Sequence, residues 1–482
     1  VVLSVGLTPR ENMKDLSDRL GVRLDTWNFI DTDGSMPIQS TRPGIFVCGP
    51  AVQPKDIPET VIQASGAVAG AAELLSSVRG SEIIKKEYPE EKKVSGQKAR
   101  IGVFVCHCGI NIGSVVNVPE VVAYSKTLPN VVYAGENLFT CSQDTQEKMK
   151  EVIEEYKLNR VVVSSCSPST HEALFQETMK ETGLNPYLFD MANIRNHCSW
   201  VHRENHAKAT EKAKILTRIA IGKARLLEPL YTLSLDVTQT GLVIGGGLAG
   251  ITAALSIADQ GFEVALVERE GRLGGNLNRL KRRPNGEKVE ECLDRLLDRV
   301  SDHPKIKTFL DSDILAIDGY VGNYVTSIKS RISGEVDDYE HGIIVITTGA
   351  EESKPHEYHY EDENVLSQLD FEDILEVDQK GLSKLKNVVM IQCVGSRDEE
   401  HPYCSRVCCT QAVKNSIRLK KLNPKLNVYI LYRDVRTYGF NEIYYQEARA
   451  LGVVFIRYNE DEKPVVDYVG DGNNKRLAVK VR

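Results

Sequence analysis

One run of fifteen residues constrains the fold of this chain more than any other: Gly241-Leu-Val-Ile-Gly-Gly-Gly-Leu-Ala-Gly-Ile-Thr-Ala-Ala-Leu. An apolar strand pattern enters Gly245, Gly247 and Gly250 at G-x-G-x-x-G spacing, and an apolar helix pattern leaves them. Gly245 permits a tight turn, Gly247 lets backbone approach a pyrophosphate, and Gly250 lets helix and strand pack closely. Leu248 and Ala249 complete the turn at the start of the helix, where backbone N–H groups hold phosphate oxygens. A second strand pattern, Phe262-Glu-Val-Ala-Leu-Val, then reaches Glu268 and Arg269. The acid lies roughly 20 residues beyond the glycines, the place from which a carboxylate accepts a ribose hydroxyl. A lone glycine pattern is weak, but strand, glycines, helix, second strand and acid in this order predict a dinucleotide-binding βαβ unit.

Two later segments favour FAD over NAD. Gly271-Arg-Leu-Gly-Gly-Asn-Leu, with Gly274, Gly275, Asn276 and Leu277, resembles the segment that approaches the flavin in flavoproteins with two dinucleotide-binding domains. Ile343-Ile-Val-Ile-Thr-Thr-Gly-Ala resembles the strand and turn that close their FAD site, which implicates Thr348 and Gly349. Near the start of the chain, Arg42-Pro-Gly-Ile-Phe-Val-Cys-Gly-Pro-Ala is similar to the last strand of the same domain. Asp56-Ile-Pro-Glu-Thr-Val-Ile-Gln-Ala-Ser-Gly is similar to the helix whose start faces the flavin. Relatives carry an Asp after the glycine of that strand, whereas Pro50 follows Gly49 here. Lys55 offers a positive charge near the flavin, or is an ordinary solvated loop lysine.

The second nucleotide-binding half has no glycine motif and carries Cys393, Cys404, Cys408 and Cys409 instead. Four thiolates within 17 residues, spaced Cys-x10-Cys-x3-Cys-Cys, suffice to ligate a 4Fe-4S cluster. Cys393 is expected at the carboxyl end of an apolar strand, where α/β sheets bind ligands. The other three are expected on a loop leading to a helix from about Thr410 to Lys421. Zinc is a rival for four thiolates, although adjacent Cys408 and Cys409 depart from the paired Cys-x2-Cys knuckles of zinc sites. Buried or disulfide-bonded cysteines are the remaining alternative.

The 482 residues suggest about three domains. With 41% hydrophobic and 26% charged residues the composition is globular, and no apolar run reaches the roughly 18 residues of a membrane span. Eleven cysteines, an odd number, argue for ligation or redox work in a reducing, cytoplasmic compartment rather than for a disulfide framework. A net charge of −7 leaves no overall basic field for nucleic acid. Charge, Pro and Gly mark residues 81–100 as a linker. Alternating strand and helix patterns over 101–207 suggest a small parallel α/β domain, with strands at Ile101–Val105, Val131–Ala134 and Val161–Ser164 and a helix at Gln143–Tyr156. A connecting helix, about Lys208 to Leu227, occupies 208–235. The FAD-binding Rossmann domain spans 236–385, and the half carrying the cluster spans 386–482. Residues 1–80 form the C-terminal, FAD-closing segment of a flavoprotein domain.

From residue 101 onward the chain resembles the heterodisulfide reductase A-subunit family. The resemblance rests on Val105-Cys-His-Cys-Gly-Ile-Asn-Ile-Gly, Ser164-Ser-Cys-Ser-Pro-Ser-Thr-His-Glu-Ala-Leu-Phe and Asn193-Ile-Arg-Asn-His-Cys-Ser-Trp-Val-His, with the glycine motif, Gln392-Cys-Val-Gly-Ser-Arg and Cys404-Ser-Arg-Val-Cys-Cys. It implies a thioredoxin-reductase-like fold with two dinucleotide-binding domains, preceded by the small parallel α/β domain. It also implies FAD, a 4Fe-4S cluster and an oligomeric assembly in a multi-subunit complex, with electron bifurcation as its activity. Partners would be other subunits of a heterodisulfide-reductase-like or hydrogenase/dehydrogenase complex and ferredoxin-type carriers. Residues 1–80 resemble the family's C-terminal flavin segment, so the order suggests a segment of a tandem fusion; the tail closes either this chain's flavin site or an upstream one. No ferredoxin-type Cys-x2-Cys-x2-Cys insertion follows Gly275. Cys106, Cys108, Cys141, Cys166 and Cys198 form either a second redox site or a cysteine-lined packing and docking surface, and His107, His171, His197, His202 and His206 are expected to be ordinary core or surface histidines. A self-contained disulfide oxidoreductase predicts a second glycine motif and a Cys-x-x-Cys, and neither occurs. A non-catalytic FAD-bearing scaffold is the third reading.

Overall fold

The computed structural model describes residues 2–34, 36–377, 379–470 and 476–481. The chain forms two compact units, Val1–Ser81 with Asp236–Arg482, and Glu82–Leu235.

The larger unit starts with α1 (Met13–Leu20), ended by Gly21 in the left-handed region, and an antiparallel pair, β1 (Thr32–Asp33) and β2 (Met36–Ser40). The strand expected over residues 42–49 does not join a parallel sheet. Val47 N donates to Ile38 O at 2.8 Å and Phe46 bridges Gln39 antiparallel, so this segment closes on β2 as a hairpin. Helix α2 (Ile57–Leu74) follows where expected, because Asp56 and Glu59 form a capping box that satisfies two first-turn donors.

In the smaller unit β3 (Ile101–Cys106), α3 (Val118–Lys126), β4 (Val131–Asn137), α4 (Gln143–Glu155), β5 (Arg160–Ser165), α5 (Pro168–Glu181), β6 (Phe189–Asn193) and α6 (His206–Ala224) alternate. The four strands pair in parallel in the order β4-β3-β5-β6. Every residue of β3 and β5 is buried, as a parallel sheet covered on both faces requires. α3 and α6 pack on one face, α4 and α5 on the other. The sequence pattern makes α6 a connector, but its buried stripe of Ala209, Ala213, Thr217, Ala220 and Ala224 makes it a layer of this unit. Part of the expected linker is also folded here: Val94 lies in the core, and Lys92 N donates to Gly183 O at 2.7 Å.

The larger unit resumes with β7 (Thr240–Ile244), α7 (Leu248–Asp259), β8 (Glu263–Val267), α8 (Val289–Asp302) and β9 (Ile306–Phe309). An antiparallel sheet of β10 (Ser312–Tyr320), β11 (Asn323–Ser330) and β12 (Val336–His341) intervenes before β13 (Ile343–Ile346) returns beside β7, giving the parallel order β13-β7-β8-β9. After α9 (Gln368–Val377) and α10 (Gln379–Leu382) comes a second parallel sheet, β14-β15-β16. Its elements are β14 (Asn387–Ile391), α11 (Cys408–Leu422), β15 (Asn427–Tyr432), α12 (Glu442–Ala450) and β16 (Val454–Arg457), with a hairpin of β17 (Val465–Val469) and β18 (Arg476–Lys480) beyond. The chain is thus α/β throughout. Among the described residues no helix is long and apolar enough to cross a membrane.

Candidate functional site

At the carboxyl end of β7 the backbone turns at Gly245 with φ of 105°, where an added Cβ would meet Thr347 O at 2.5 Å. At Gly250 a Cβ would lie 1.8 Å from Gly245 O, so α7 packs against the turn at van der Waals limit. At Gly247 a Cβ meets nothing within 4 Å, and Leu248 and Ala249 are exposed, which leaves the mouth of the turn open to a ligand. Glu268, just past β8, accepts from Gly246 N through Oε2 at 2.6 Å and from Glu270 N through Oε1 at 2.9 Å. Its carboxylate is therefore pinned beside the glycines. Gly274 N donates to Gly246 O at 2.8 Å, Gly275 stands against Gly247, and Asn276 Nδ2 donates to Ala350 O at 3.1 Å. Leu277 packs into the core beneath, whereas Arg269 is exposed and pairs with Glu351 at 3.3 Å. A cavity of about 460 Å³, lined by Asn276, Arg279, Glu351, Lys354, Tyr360 and Asp370, adjoins this loop.

Thr348 and Gly349 are exposed beyond β13, and the side chain that braces the glycine turn is Thr347. Its Oγ1 lies 2.9 Å from both Ile244 O and Gly245 O. Strand alternation puts Thr347 on the same face as Val345, which packs against α7, and that period was the available sequence signal. In the N-terminal segment Gly49 is buried at φ 65° and its N–H donates to Gln63 Oε1 at 2.8 Å. Lys55 is half-buried, and that burial lowers its pKa. The open turn, the free helix start and the carboxylate beside it fit a dinucleotide.

The second parallel sheet places the other expected site. Cys393 lies two residues past β14 at φ 63°. Cys408 and Cys409 are the first residues of α11, so the helix begins two residues earlier than the sequence suggested. All four cysteines of the set are free and half-buried. Charges on Cys393 and Cys404 act on both Cys408 and Cys409, so the four are neighbours. Burial pushes the Cys408 thiol up to about 11 and raises that of Cys409. Donors point at sulfur: Arg406 N reaches Cys404 Sγ at 3.4 Å, and Arg397 Nη1 reaches Cys393 Sγ at 3.9 Å. As arranged, no group of three or more His, Cys, Asp or Glu among the described residues is set to hold a metal ion. The donor set fits a cluster in number and kind, and the thiols are not drawn into ligand geometry.

Residues 243–312 match the model of the NAD(P)-binding Rossmann-like domain. The chain is 36% identical over 477 residues to the second iron-sulfur A-subunit of the CoB–CoM heterodisulfide reductase of Methanopyrus kandleri, covering 80% of this chain and 72% of that one. It is 35% identical over 461 residues to the A-subunit of the H2:CoB-CoM heterodisulfide, ferredoxin reductase of Methanothermobacter marburgensis, covering 76% and 70%. The chain belongs to the heterodisulfide reductase A-subunit family. That places it among oxidoreductase components. A solved T. acidophilum thioredoxin reductase aligns over 50% of this chain and 74% of its own at 16% identity with a TM-score of 0.33, too distant to bear on the argument.

In this member of the heterodisulfide reductase family the smaller unit gathers a further set of thiols. Charges on Cys106, Cys166 and Cys108 act on Cys141, so these four share the carboxyl edge of the sheet. Three side chains near the same strand ends, Asn137, Thr140 and Ser165, each have a buried polar atom without a hydrogen-bond partner. Cys198 differs: its Sγ donates to Ala209 O at 2.9 Å, and burial pushes the thiol up to about 11, as for a core cysteine.

Proposed function

We propose that this chain is the electron-transfer flavoprotein part of a heterodisulfide-reductase-like complex, with FAD on the β7–α7 turn and a 4Fe-4S cluster on Cys393, Cys404, Cys408 and Cys409. FAD supplies two-electron exchange with a partner and the cluster one-electron steps. Gly247 and the start of α7 receive the pyrophosphate, Glu268 orients the ribose, and Thr347 with Asn276 fixes the loops around them.

One observation carries the reading: a single acidic helix joins the two sites. Lys281 N and Arg282 N, on the loop that follows the flavin segment, both donate to Glu372 Oε1 of α9 at 3.2 Å. Lys414 Nζ, on the helix that carries Cys408 and Cys409, donates to the same oxygen at 2.6 Å. Glu376 repeats the pattern, taking Arg282 Nε at 2.9 Å and Arg418 Nη2 at 2.8 Å. α9 thus ties the loop that follows the flavin segment to the thiol helix, which supports an electron path between the two sites.

Other subunits of such a complex, or a hydrogenase or dehydrogenase, and ferredoxin-type carriers are the proposed partners, in an oligomeric cytoplasmic assembly. Bifurcation is the finer form of the proposal. The first test is the iron, acid-labile sulfide and FAD content of anaerobically purified protein. Four irons and four sulfides per flavin support the reading, eight of each add a second site at the cysteines of the smaller unit, and flavin without iron sinks the electron-wire role.

A further inference from the structure

Around the four cysteines the chain adopts an unusual backbone. Arg397 and Arg406, like Cys393, have positive φ, 60° and 64°, values that non-glycine residues rarely adopt. Such outliers persist only where their surroundings over-determine them. At Arg397 the surroundings are visible: its backbone N–H donates to His401 O at 2.6 Å, and its guanidinium is held between Asp434 Oδ2, at 2.8 Å, and Cys393 Sγ, at 3.9 Å. The side chain is only 16% exposed. Arg436 approaches from the loop after β15, and its charge acts on Cys404 and Cys409. Asp434 stands between the two arginines, 3.7 Å from Arg436 Nη2, and its backbone O accepts from Cys409 Sγ at 3.7 Å. Arg433 is differently engaged, on Arg397 O and Glu460. A cavity of about 400 Å³ runs between these arginines to Cys404.

An electron added to a thiolate-ligated centre enters a site that is already negative. Fixed positive charge nearby lowers the Coulomb cost of that step, and hydrogen bonds to sulfur act in the same direction. Guanidinium remains protonated throughout, so its charge is constant.

We propose that Arg397 and Arg436, positioned by Asp434, raise the reduction potential of the centre held by Cys393, Cys404, Cys408 and Cys409. The inference rests on the cluster reading above. With the centre loaded, the reduced flavin would be its one-electron donor, and no proton moves at the arginines. Asp434 has two opposed effects, since it orients Arg397 and also partly cancels its charge; the second dominates, because Arg397 Nη1 also reaches Cys393 Sγ directly.

The test is a dye-mediated redox titration of the full chain, anaerobic, followed by the EPR signal of the reduced centre, with iron content measured on every sample. Arg397→Gln and Arg436→Gln are each expected to lower the equilibrium constant for reduction at least tenfold, about 59 mV for one electron. Arg397→Lys, which keeps the charge, stays near the native value, and Asp434→Asn shifts upward. Native midpoints in iron-replete Arg397→Gln and Arg436→Gln overturn the inference and leave the cluster reading intact. A native chain without iron overturns both. If the glutamine variants lose iron, the decision passes to Asp434→Asn, whose midpoint rises if the inference holds and stays or falls if it does not.

Discussion

Gly250 shows how much one position decides. With Gly245 O 1.8 Å from where its Cβ would be, Gly250→Ala must push α7 away from the turn. Overpacking of this kind costs about 1–3 kcal/mol, and the displaced helix start is where the pyrophosphate is proposed to bind. At least tenfold weaker FAD retention is expected, read from flavin released on gel filtration, while Gly247→Ala, with open space around it, retains the fold. His341 makes a different kind of prediction. It is fully buried, with Nε2 at 2.7 Å from Thr326 Oγ1 and Nδ1 at 3.1 Å from Ile343 O, and it stacks between Tyr324 and Tyr339. Burial lowers its pKa from 6.5. The unfolded chain therefore binds this proton first as pH falls, so the contribution of His341 is complete above about pH 6.5 and is lost as pH falls through the depressed folded value. Urea midpoints should drop between pH 7 and 5, and His341→Gln should flatten that slope. A slope unchanged in the variant would assign it to other groups. Neither the contact of Gly250 nor the partners of His341 could be read from spacing, although the glycine itself could.

At the scale of elements the most informative piece is α9, which no sequence motif announced. Its carboxylates look like an ordinary acidic helix face until the fold brings basic residues from positions 279–282 and 414–418 to them. Glu372 and Lys414 are a buried ion pair, with side chains 1% and 9% exposed. Removing one partner of such a pair typically costs about 3–5 kcal/mol because the other charge stays buried, while replacing both with apolar residues is often neutral. Glu372→Leu should therefore lower unfolding free energy by about that amount, and Glu372→Leu with Lys414→Met should recover part of it, since Lys281 N and Arg282 N still lose their acceptor, measured by urea denaturation. Equal losses in the single and double variants would show that the pair is not coupled. α11 teaches the same lesson about boundaries. Cysteines carry little helix signal, so its first two residues read as loop, yet tertiary packing makes them, half-buried, the opening turn. The antiparallel β10-β11-β12 insertion was not foreseen either, because its burial is confined to a few positions and its alternation is weak.

For the whole molecule the question is where residues 1–81 belong. They are compact with 236–482 rather than with 82–235. Trp27 packs on Phe440 at 4.7 Å between ring centroids, Glu59 pairs with Arg406 at 2.8 Å, and Arg79 Nη2 donates to Gln260 O at 3.2 Å. Exposed ion pairs contribute little, so the aromatic contact and the packing of α2 on α7 carry the association. With protease sites engineered beside Ser81 and Leu235, fragment 1–81 should copurify with 236–482 after cleavage. Its release would assign the tail to another copy of the flavin domain, the second assembly that the sequence allowed.

By itself the sequence determined the βαβ glycine turn, the acid that stands beside it, the α/β class and the grouping of four cysteines, because each depends on local spacing: a tight turn needs glycine and a thiolate ligand needs cysteine wherever they stand. The tertiary structure alone decided that residues 42–49 pair with β2, that α6 is a layer of the smaller unit, and that Arg397, Asp434 and Arg436 meet the cysteines. Those outcomes depend on pairings between residues far apart in the chain, and no local pattern encodes which distant partner a strand, a carboxylate or a guanidinium will find.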